Sequence, residues 1–253
     1  MDRWTGKIVV VTGASSGIGE AVVKELVAKK LIVIGLARRE DRLQQLKIEI
    51  GEAEGEFHFC KCDVSDLSSI KSAFAFIKEN FGRIHVLINN AGIIKNCTIL
   101  GDGHEEDLST LINTNLMGSI FCTKEAYRLM KATGEECHII NINSIMGHNI
   151  PFSVFEGHSH NLYPSSKFAL RAAMEVLRQE LSSDKNFRVS NISPGLVKTE
   201  ISHASGNPMA DRIMTAKTIL QPEDIAKTVV FVLEMPKHVQ ISEVIVTPTA
   251  QKF

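Results

Sequence analysis

The chain alternates short apolar runs with longer segments of helical periodicity. Runs such as Ile8-Val9-Val10-Val11 are apolar at every position, which is typical of strands buried on both faces. Between them, apolar residues recur at the three- and four-residue spacing of helices that cover a core. The pattern predicts strands at 8–11, 31–36, 57–62, 86–89, 138–143, 188–192 and 244–246, and helices at 18–29, 40–50, 67–80, 105–131, 163–182 and 222–233.

This alternation predicts an α/β fold, a doubly wound parallel sheet of seven strands with helices on both faces. One domain over residues 1–253 is the simplest organisation, because no linker or repeat divides the chain. Segments 145–162 and 201–220 interrupt the alternation, and both follow late strands. Ligands bind at the carboxyl ends of strands in such sheets, so we expect these segments to contact substrate. The alternative is that each is a surface insertion.

Composition excludes several classes of partner. The net charge of -1 gives no electrostatic support for binding nucleic acid. No apolar run reaches the ~18 residues of a membrane span. The polar start Met-Asp-Arg-Trp predicts that there is no signal peptide, and we expect a cytoplasmic protein. The five cysteines are scattered and odd in number, which argues against a disulfide framework, and Cys60-x-Cys62 favours a buried structural role over metal binding.

A glycine-rich turn lies between the first predicted strand and the first helix. Its sequence is Thr12-Gly13-Ala14-Ser15-Ser16-Gly17-Ile18-Gly19. Glycines let a phosphate approach the backbone, and the helix N-terminus offers free N–H donors. We therefore predict a dinucleotide site, with contacts from Gly13, Ser15, Ser16, Gly17, Ile18 and Gly19.

The end of the second strand indicates which dinucleotide is bound. Sites for NAD usually carry an acid there to hold the ribose hydroxyls, but this chain has Ala37-Arg38-Arg39. A guanidinium binds a 2′-phosphate and stacks on adenine. Arg38 and Arg39 therefore predict NADP(H). The alternative is that both arginines belong to a solvated helix start.

Two further strand ends supply polar candidates. Asp63, followed by Val64, could accept a hydrogen bond from adenine or could cap the helix near Leu67. Asn90-Ala91-Gly92 follows the fourth strand, where amides beside a glycine turn either tie neighbouring strands together or approach the cofactor.

The stretch Tyr163-Pro-Ser-Ser-Lys167 places a phenol and an ammonium one helical turn apart. A phenol titrates near pH ~10, and a nearby ammonium lowers that pKa. The pair is a candidate proton-transfer group. Because Tyr-x-x-x-Lys is common on surface helices, the pair by itself leaves a chance occurrence open.

Taken in order, five motifs resemble those of the short-chain dehydrogenase/reductases. They are Thr12-Gly-x-x-x-Gly-Ile-Gly19, Asn89-Asn-Ala-Gly92, Ser144, Tyr163-x-x-x-Lys167 and Ser193-Pro194-Gly195. The resemblance covers nearly the whole chain and implies a Rossmann-like domain. Stretches such as Gly35-Leu-Ala-Arg-Arg39 and the ending Val246-Thr-Pro-Thr-Ala are similar to animal cytosolic members, which include insect farnesol dehydrogenases and vertebrate 17β-type hydroxysteroid dehydrogenase relatives.

The resemblance implies a role for each matching position. Tyr163 would be the general acid/base, Lys167 would lower its pKa and bind the nicotinamide ribose, and Ser144 would hydrogen-bond the reacting oxygen. Asn115 matches the asparagine that holds a water in the proton relay. The family also places a segment after the sixth strand on the nicotinamide, which here comprises Pro194, Gly195, Val197 and Thr199.

The segment 145–162 also bears on the substrate. Its apolar residues favour a hydrophobic alcohol or carbonyl, such as an isoprenoid or steroid, although they could instead pack on a neighbouring loop. These residues are Ile145, Met146, Ile150, Phe152, Val154 and Phe155. The histidines of the segment lack a convincing carboxylate or cysteine partner, so we expect no metal site and place them at the substrate mouth or in solvent. They are His148, His158 and His160.

Two rivals to this hypothesis are a non-catalytic NADP(H)-binding sensor and an NAD-linked enzyme. The family forms subunit interfaces from two long helices, which here are predicted at 105–131 and 163–182. Both carry more apolar residues than one face requires, so we expect a homodimer or homotetramer. The residues are Leu116, Met117, Ile120, Phe121, Phe168, Leu170, Met174 and Leu177.

Overall fold

The computed structural model describes residues 1–150, 161–201 and 219–249. Within them, seven strands form one sheet in the order β3-β2-β1-β4-β5-β6-β7, and every neighbouring pair is parallel. The strands are β1 (Ile8–Thr12), β2 (Ile32–Ala37), β3 (Glu56–Lys61), β4 (Val86–Asn89), β5 (Cys137–Ile142), β6 (Phe187–Pro194) and β7 (Glu243–Val246). The predicted doubly wound α/β architecture is confirmed.

The helices of the described residues cover both faces of the sheet. They are α1 (Gly17–Ala28), α2 (Glu40–Ile50), α3 (Leu67–Phe81), α4 (Glu105–Ile112), α5 (Ser119–Lys131), α6 (Tyr163–Glu180) and α7 (Pro222–Glu234). Apart from the region 105–131, strand and helix ends lie within two residues of the predicted ones. The strongest local signals, such as the proline and the two acids that open α7, mark its start correctly.

The predicted continuous helix over 105–131 is wrong in one respect. A π-helical turn, Asn113–Gly118, separates α4 from α5. At its end a Cβ on Gly118 would lie 2.5 Å from the carbonyl oxygen of Val64, so only glycine allows this approach. Tertiary packing therefore decides the helix geometry here, and π-turns of this kind are frequent at functional sites.

The sheet separates two hydrophobic cores. In β1, Val9 and Val11 pack on the face covered by α1, α2 and α7, whereas Ile8 and Val10 pack on the face covered by α3, α5 and α6. Alternate side chains of a strand point to opposite faces, so a strand covered on both sides is apolar throughout. Cys60 and Cys62 contact the same core, as expected of residues two apart on a strand.

The strand order reverses direction between β1 and β4. The chain builds outward from β1 through β2 to β3, and then continues on the other side of β1. Such a switch point opens a crevice at the carboxyl ends of the strands, where ligands of doubly wound sheets bind. The segments that follow β1, β4, β5 and β6 meet at this edge.

In the ranges that the structure describes, all five cysteines are free, and no cluster of His, Cys, Asp and Glu is suited to hold a metal ion. None of the helices described is both long and apolar enough to cross a membrane.

Candidate active site

The glycine-rich turn forms a tight cradle at the start of α1. Gly13 has φ +67°, and a Cβ there would lie 2.9 Å from the Cα of Ala91. A Cβ on Gly19 would lie 2.3 Å from the carbonyl oxygen of Gly13. Because no side chain fits at either position, the backbone N–H groups at the start of α1 stay open to a ligand, which is the geometry that binds phosphate.

Asn90 fixes this turn from the neighbouring strand. Its side-chain amide donates to the carbonyl oxygens of Thr12 (2.9 Å) and Gly13 (3.2 Å). The Thr12 hydroxyl in turn accepts from the backbone N–H of Asn90 and Ala91, both at 3.0 Å. The tie between strands, one of the two alternatives for this motif, is therefore present. Any contact of Asn90, Ala91 or Gly92 with a cofactor stays a prediction.

The two predicted phosphate-binding arginines diverge. The Arg39 guanidinium donates to the hydroxyls of Ser15 (3.2 Å) and Ser16 (2.7 Å), beside the glycine cradle. Arg38 lies instead 3.9 Å from Asp63 and is mostly exposed. Arg39 is thus the better placed of the two for an anion at the cradle.

A carboxylate contacts the Arg39 guanidinium group. Glu200 accepts from Arg39 at 3.2 Å and from Arg42 at 2.7 Å. The two guanidinium groups hold the pKa of Glu200 below its usual value, mainly through the hydrogen bond from Arg42. Sequence reasoning missed Arg42 and Glu200. Arg42 was recognisable as the residue one helical turn after Arg39, whereas Glu200 had no local signal.

Asp63 does not cap α3. Its carboxylate accepts from the backbone N–H of Ser65 at 2.9 Å, and Asp66 is the residue that caps the helix. The helix-cap alternative for Asp63 is therefore wrong, because the turn after β3 places Asp66 at the position preceding the helix. Val64 is buried and contacts Gly118 at the π-turn.

Ser144 and the first turns of α6 assemble the proposed acid/base group. Tyr163 is the first residue of α6, and its N–H donates to the side-chain oxygen of Asn161 (2.8 Å). Ser144 follows β5 and hydrogen-bonds the Tyr163 phenol. Lys167 lies one turn later, with its Nζ 5.7 Å from the centroid of the Tyr163 ring.

Burial dominates the electrostatics of this group. It raises the pKa of Tyr163 to about 12, while the hydrogen bond with Ser144 lowers that pKa. It also lowers the pKa of Lys167 to about 8. The Lys167 ammonium donates to the carbonyl oxygen of Ile142 at 3.1 Å. Burial therefore dominates the pKa of the Tyr163 phenol, and the expectation that Lys167 lowers this pKa stays a prediction.

Asn115 lies in the π-turn and connects α6 to the loop after β4. Its side chain accepts from the N–H of Ile93 (2.8 Å) and donates to the carbonyl oxygen of Ile93 (3.0 Å). It also donates to the hydroxyl of Ser166 (3.2 Å), which donates to the carbonyl oxygen of Tyr163 (2.7 Å). Sequence reasoning missed Ser166, although it lies within the Tyr-x-x-x-Lys motif.

The segment after β6 closes the other side of the crevice. Pro194 ends β6, and the Gly195 N–H donates to the carbonyl oxygen of Val246 (2.7 Å). Val197 forms a parallel bridge with Leu220. The methyl group of Thr199 lies 3.1 Å from the place a Gly17 Cβ would take, so this segment passes directly over the cradle.

Much of the two predicted substrate segments lies outside the described residues. This applies to Phe152, Val154, Phe155, His158 and His160 and to 202–218. Residues Ile145–Gly147 form a 3₁₀ turn. His148 was expected at the substrate mouth or in solvent, but its side chain is turned toward the sheet, where its Nε2 lies 3.0 Å from the Ser193 hydroxyl. Packing of the 3₁₀ turn between β6 and α6 explains the difference.

The predicted interface residues also divide. Leu170 and Met174 are buried in the protein's own core, so they are not available to a second subunit. Phe168 of the same helix is exposed, and so is Val176, which was not among the predicted residues.

Comparisons with known proteins agree with this arrangement. The family described as short chain dehydrogenase matches residues 7–210. Farnesol dehydrogenase of Aedes aegypti is 40% identical over 255 residues, covering 100% of both chains. Dehydrogenase/reductase SDR family member 11 of Gallus gallus is 40% identical over 259 residues, covering 99% of each. The solved closed form of a serine dehydrogenase complexed with NADP+ has a TM-score of 0.86 at 31% identity, covering 97% of this chain and 96% of that one.

Proposed function

The chain belongs to the short-chain dehydrogenase family of oxidoreductases, and we propose that it interconverts a hydrophobic alcohol and its carbonyl with NADP(H). The observation that carries this proposal is the convergence of Ser144, Tyr163 and Lys167 with the glycine cradle at one edge of the sheet. A dinucleotide whose phosphates lie at α1 extends along this edge toward the three side chains.

The residues present fit a 2′-phosphorylated dinucleotide. The cradle leaves no room for a Cβ at Gly13 or Gly19. The carboxylate of Glu200, held by Arg39 and Arg42, marks a position where an anion is favourable. Arg39, Ser15 and Ser16 would bind the 2′-phosphate, and Lys167 would hold the nicotinamide ribose. When bound, the reduced nicotinamide supplies a hydride to the carbonyl carbon of the substrate.

The protein's own residues move the proton. In reduction, the Tyr163 hydroxyl donates its proton to the carbonyl oxygen as the C–H bond forms, and Ser144 donates a hydrogen bond to the charge that develops there. In oxidation, the Tyr163 phenolate accepts the proton of the alcohol. A pKa of about 12 keeps the free phenol protonated at neutral pH, so oxidation needs the cations of the complete site to lower it.

Exposed apolar residues on the loops that follow β4 and β5 support a hydrophobic substrate. The loop after β4 carries Ile99 and Leu100, the latter with 96% of its surface exposed, and Ile150 is exposed after β5. A hydrophobic ligand would remove this surface from water. The farnesol dehydrogenase similarity points to the same class of alcohol.

The decisive experiment follows the absorbance of NADPH and NADH with a panel of isoprenoid, steroid and other hydrophobic carbonyls. We expect turnover with NADPH, and a loss of about 10²–10⁴-fold in kcat for Tyr163→Phe. Tyr127→Phe is the matched control, since Tyr127 is the other tyrosine and packs on Phe187 away from the crevice. NADPH binding without turnover of any substrate would favour a sensor, and a preference for NADH would contradict the role of Arg39.

A second experiment tests the substrate class. Leu100→Ser should raise KM for a long apolar substrate while leaving the Kd of NADPH unchanged. Ile48→Ser is the control, because Ile48 is also apolar and largely exposed but lies on α2. An equal effect of both variants would argue against a substrate surface at Leu100.

We further infer a homodimer or homotetramer formed through α4, α5 and α6. Exposed Phe168 and Val176 support this interface. Light scattering at micromolar protein tests it, with a monomeric mass as the contradicting result.

A further inference from the structure

A polar cluster, buried at Ser193 and partly exposed at Glu243 and Arg171, joins the turn after Ser144 to β6 and β7. His148 Nε2 lies 3.0 Å from the Ser193 hydroxyl of β6 and 3.4 Å from the carboxylate of Glu243 in β7. The Ser193 hydroxyl donates to Glu243 at 2.6 Å. Arg171 of α6 lies 3.9 Å from the other carboxylate oxygen. Ser193 is fully buried, and the His148 side chain is only 16% exposed.

The number of hydrogens on each group determines which group donates in this cluster. A hydroxyl has one hydrogen, and Ser193 donates it to the carboxylate of Glu243. The Ser193 oxygen is then the acceptor for His148, which must carry a proton on Nε2. The arrangement therefore uses His148 as a donor and gives its ring one orientation.

The segment that carries Ser144 is short and depends on outside contacts. Ser144 caps the 3₁₀ turn by accepting from the N–H of Met146 at 3.1 Å. On one side, Gly147 packs so closely on α6 that a Cβ would lie 3.0 Å from the carbonyl oxygen of Lys167. On the other side, His148 attaches the turn to β6 and β7. The turn is therefore held between the helix of Tyr163 and the sheet.

We propose that His148 is a positioning residue, which with Ser193 and Glu243 holds the Ser144 turn against α6 and so sets the Ser144–Tyr163 hydrogen bond. The proposal deepens the proposed function and rests on it for its catalytic consequence. Misplacement of a catalytic group by about 1 Å costs up to about 10²-fold in rate. Loss of the His148 donor should therefore lower kcat, while cofactor binding at the cradle stays intact.

Two substitutions separate the hydrogen bond from mere packing. His148→Leu removes the donor and keeps similar bulk, whereas the amide nitrogen of His148→Gln replaces the donating Nε2. We expect kcat to fall about 10–100-fold for His148→Leu and to remain within about threefold for His148→Gln, with the Kd of NADPH unchanged in both. His238→Leu, at an exposed histidine after α7, is the control for loss of an imidazole.

A spectroscopic readout makes the test independent of turnover. The chain has two tyrosines, so tyrosine labelled with ¹³C at Cζ gives two resonances, which Tyr127→Phe assigns. Ser144→Ala supplies the Tyr163 shift without the serine hydrogen bond. We expect the Tyr163 resonance to move toward that value in His148→Leu and to stay near its wild-type position in His148→Gln.

The outcomes distinguish the two proposals. An unmoved Tyr163 resonance in His148→Leu, or equal loss of kcat in both His148 variants, would overturn the positioning role. A wild-type chain that binds NADPH but reduces no carbonyl would overturn the proposed function, and the resonance would still decide whether His148 holds Ser144 against Tyr163.

Discussion

Two equally buried cations lie at opposite ends of the parallel strands. Arg188, near the start of β6, and Lys167, beside the end of β5, are each 4% exposed. Arg188 donates to the carboxylate of Glu136 at 2.8 Å and to the carbonyl oxygens of Met235 and Val239. Lys167 donates to the carbonyl oxygen of Ile142, and no carboxylate within the described ranges forms an ion pair with it.

The two buried cations differ in how far their surroundings compensate for the loss of water. Burying a charge is costly unless hydrogen bonds and an opposite charge offset the loss of water. The contacts of Arg188 offset part of that cost, although burial still lowers its pKa, and they join β6 to the segments around it. The cost at Lys167 is offset by one hydrogen bond but by no opposite charge among the described residues, and burial lowers its pKa to about 8. An uncompensated cation beside a buried phenol is typical of a site arranged for chemistry rather than stability.

The strongest test of this comparison is Lys167→Met. We expect kcat to fall about 10²-fold or more, because the phenol loses its neighbouring cation. The free energy of unfolding should nevertheless rise by about 1–2 kcal/mol at pH 7, since the relief of desolvation exceeds the loss of one hydrogen bond. Lys71→Met, at an exposed lysine of α3, is the control, and urea unfolding with steady-state kinetics measures both quantities. A clearly destabilised Lys167→Met would contradict the comparison.

The reciprocal substitution is Arg188→Met. It removes a buried donor from Glu136 and from the carbonyl oxygens of Met235 and Val239, and Arg3 remains in contact only with the first two. We therefore expect a loss of about 3 kcal/mol of unfolding free energy. The specific activity of the remaining folded protein should be unchanged. Arg178→Met removes an exposed arginine paired with Glu175 and should cost less than about 1 kcal/mol. Equal losses from the two variants would show that the burial of Arg188 has no special role.

The pH dependence of stability sharpens the comparison further. Lys167 titrates near pH 8 when folded and near its usual 10.5 when unfolded. Between these two pKa values the unfolded chain binds more protons at Lys167 than the folded chain does. The free energy of unfolding therefore rises as pH increases from about 8 to about 10.5. Relative to Lys167→Met, wild type should gain about 2–3 kcal/mol from pH 7.5 to 10. A constant difference between the two proteins would exclude the depressed pKa.

The smallest expected effect concerns the paired charges at the cofactor edge. Glu200→Gln removes a carboxylate that competes with a 2′-phosphate for Arg39 and Arg42. We expect adenosine 2′,5′-bisphosphate to bind about 3–10-fold more tightly and 5′-AMP to bind as before. Glu49→Gln, at an exposed acid of the neighbouring α2, is the control. An equal increase in affinity for both nucleotides would show that Glu200 does not compete with the 2′-phosphate.

Local pattern was sufficient for most of the fold. The bounds of α2 and β4 were predicted without error, because the spacing of apolar residues within each element reflects which of its faces are buried. The break between α4 and α5 could not be predicted in this way. It depends on Gly118 meeting Val64 and on Asn115 meeting Ile93, and both partners lie on other segments.

The same limit applies to the site. The motifs around Gly13 and Tyr163 can be recognised from sequence because their order along the chain resembles that of a known family. Partners brought together only by folding were not recognisable, such as Glu200 with Arg39, or His148 with Glu243. Nor does sequence spacing give the degree of burial that raises the pKa of the Tyr163 phenol.

The bond from Asn90 to the glycine turn also has a consequence for biosynthesis. The turn and Arg39 are complete in the first third of the chain, yet the Asn90 amide that holds the carbonyls of Thr12 and Gly13 follows β4. A nascent chain that has emerged only through α3 therefore has no finished nucleotide site. Under the proposed function, a dinucleotide would stabilise the protein only after β4 has paired with β1, so the earlier segments would fold on the ribosome without bound cofactor.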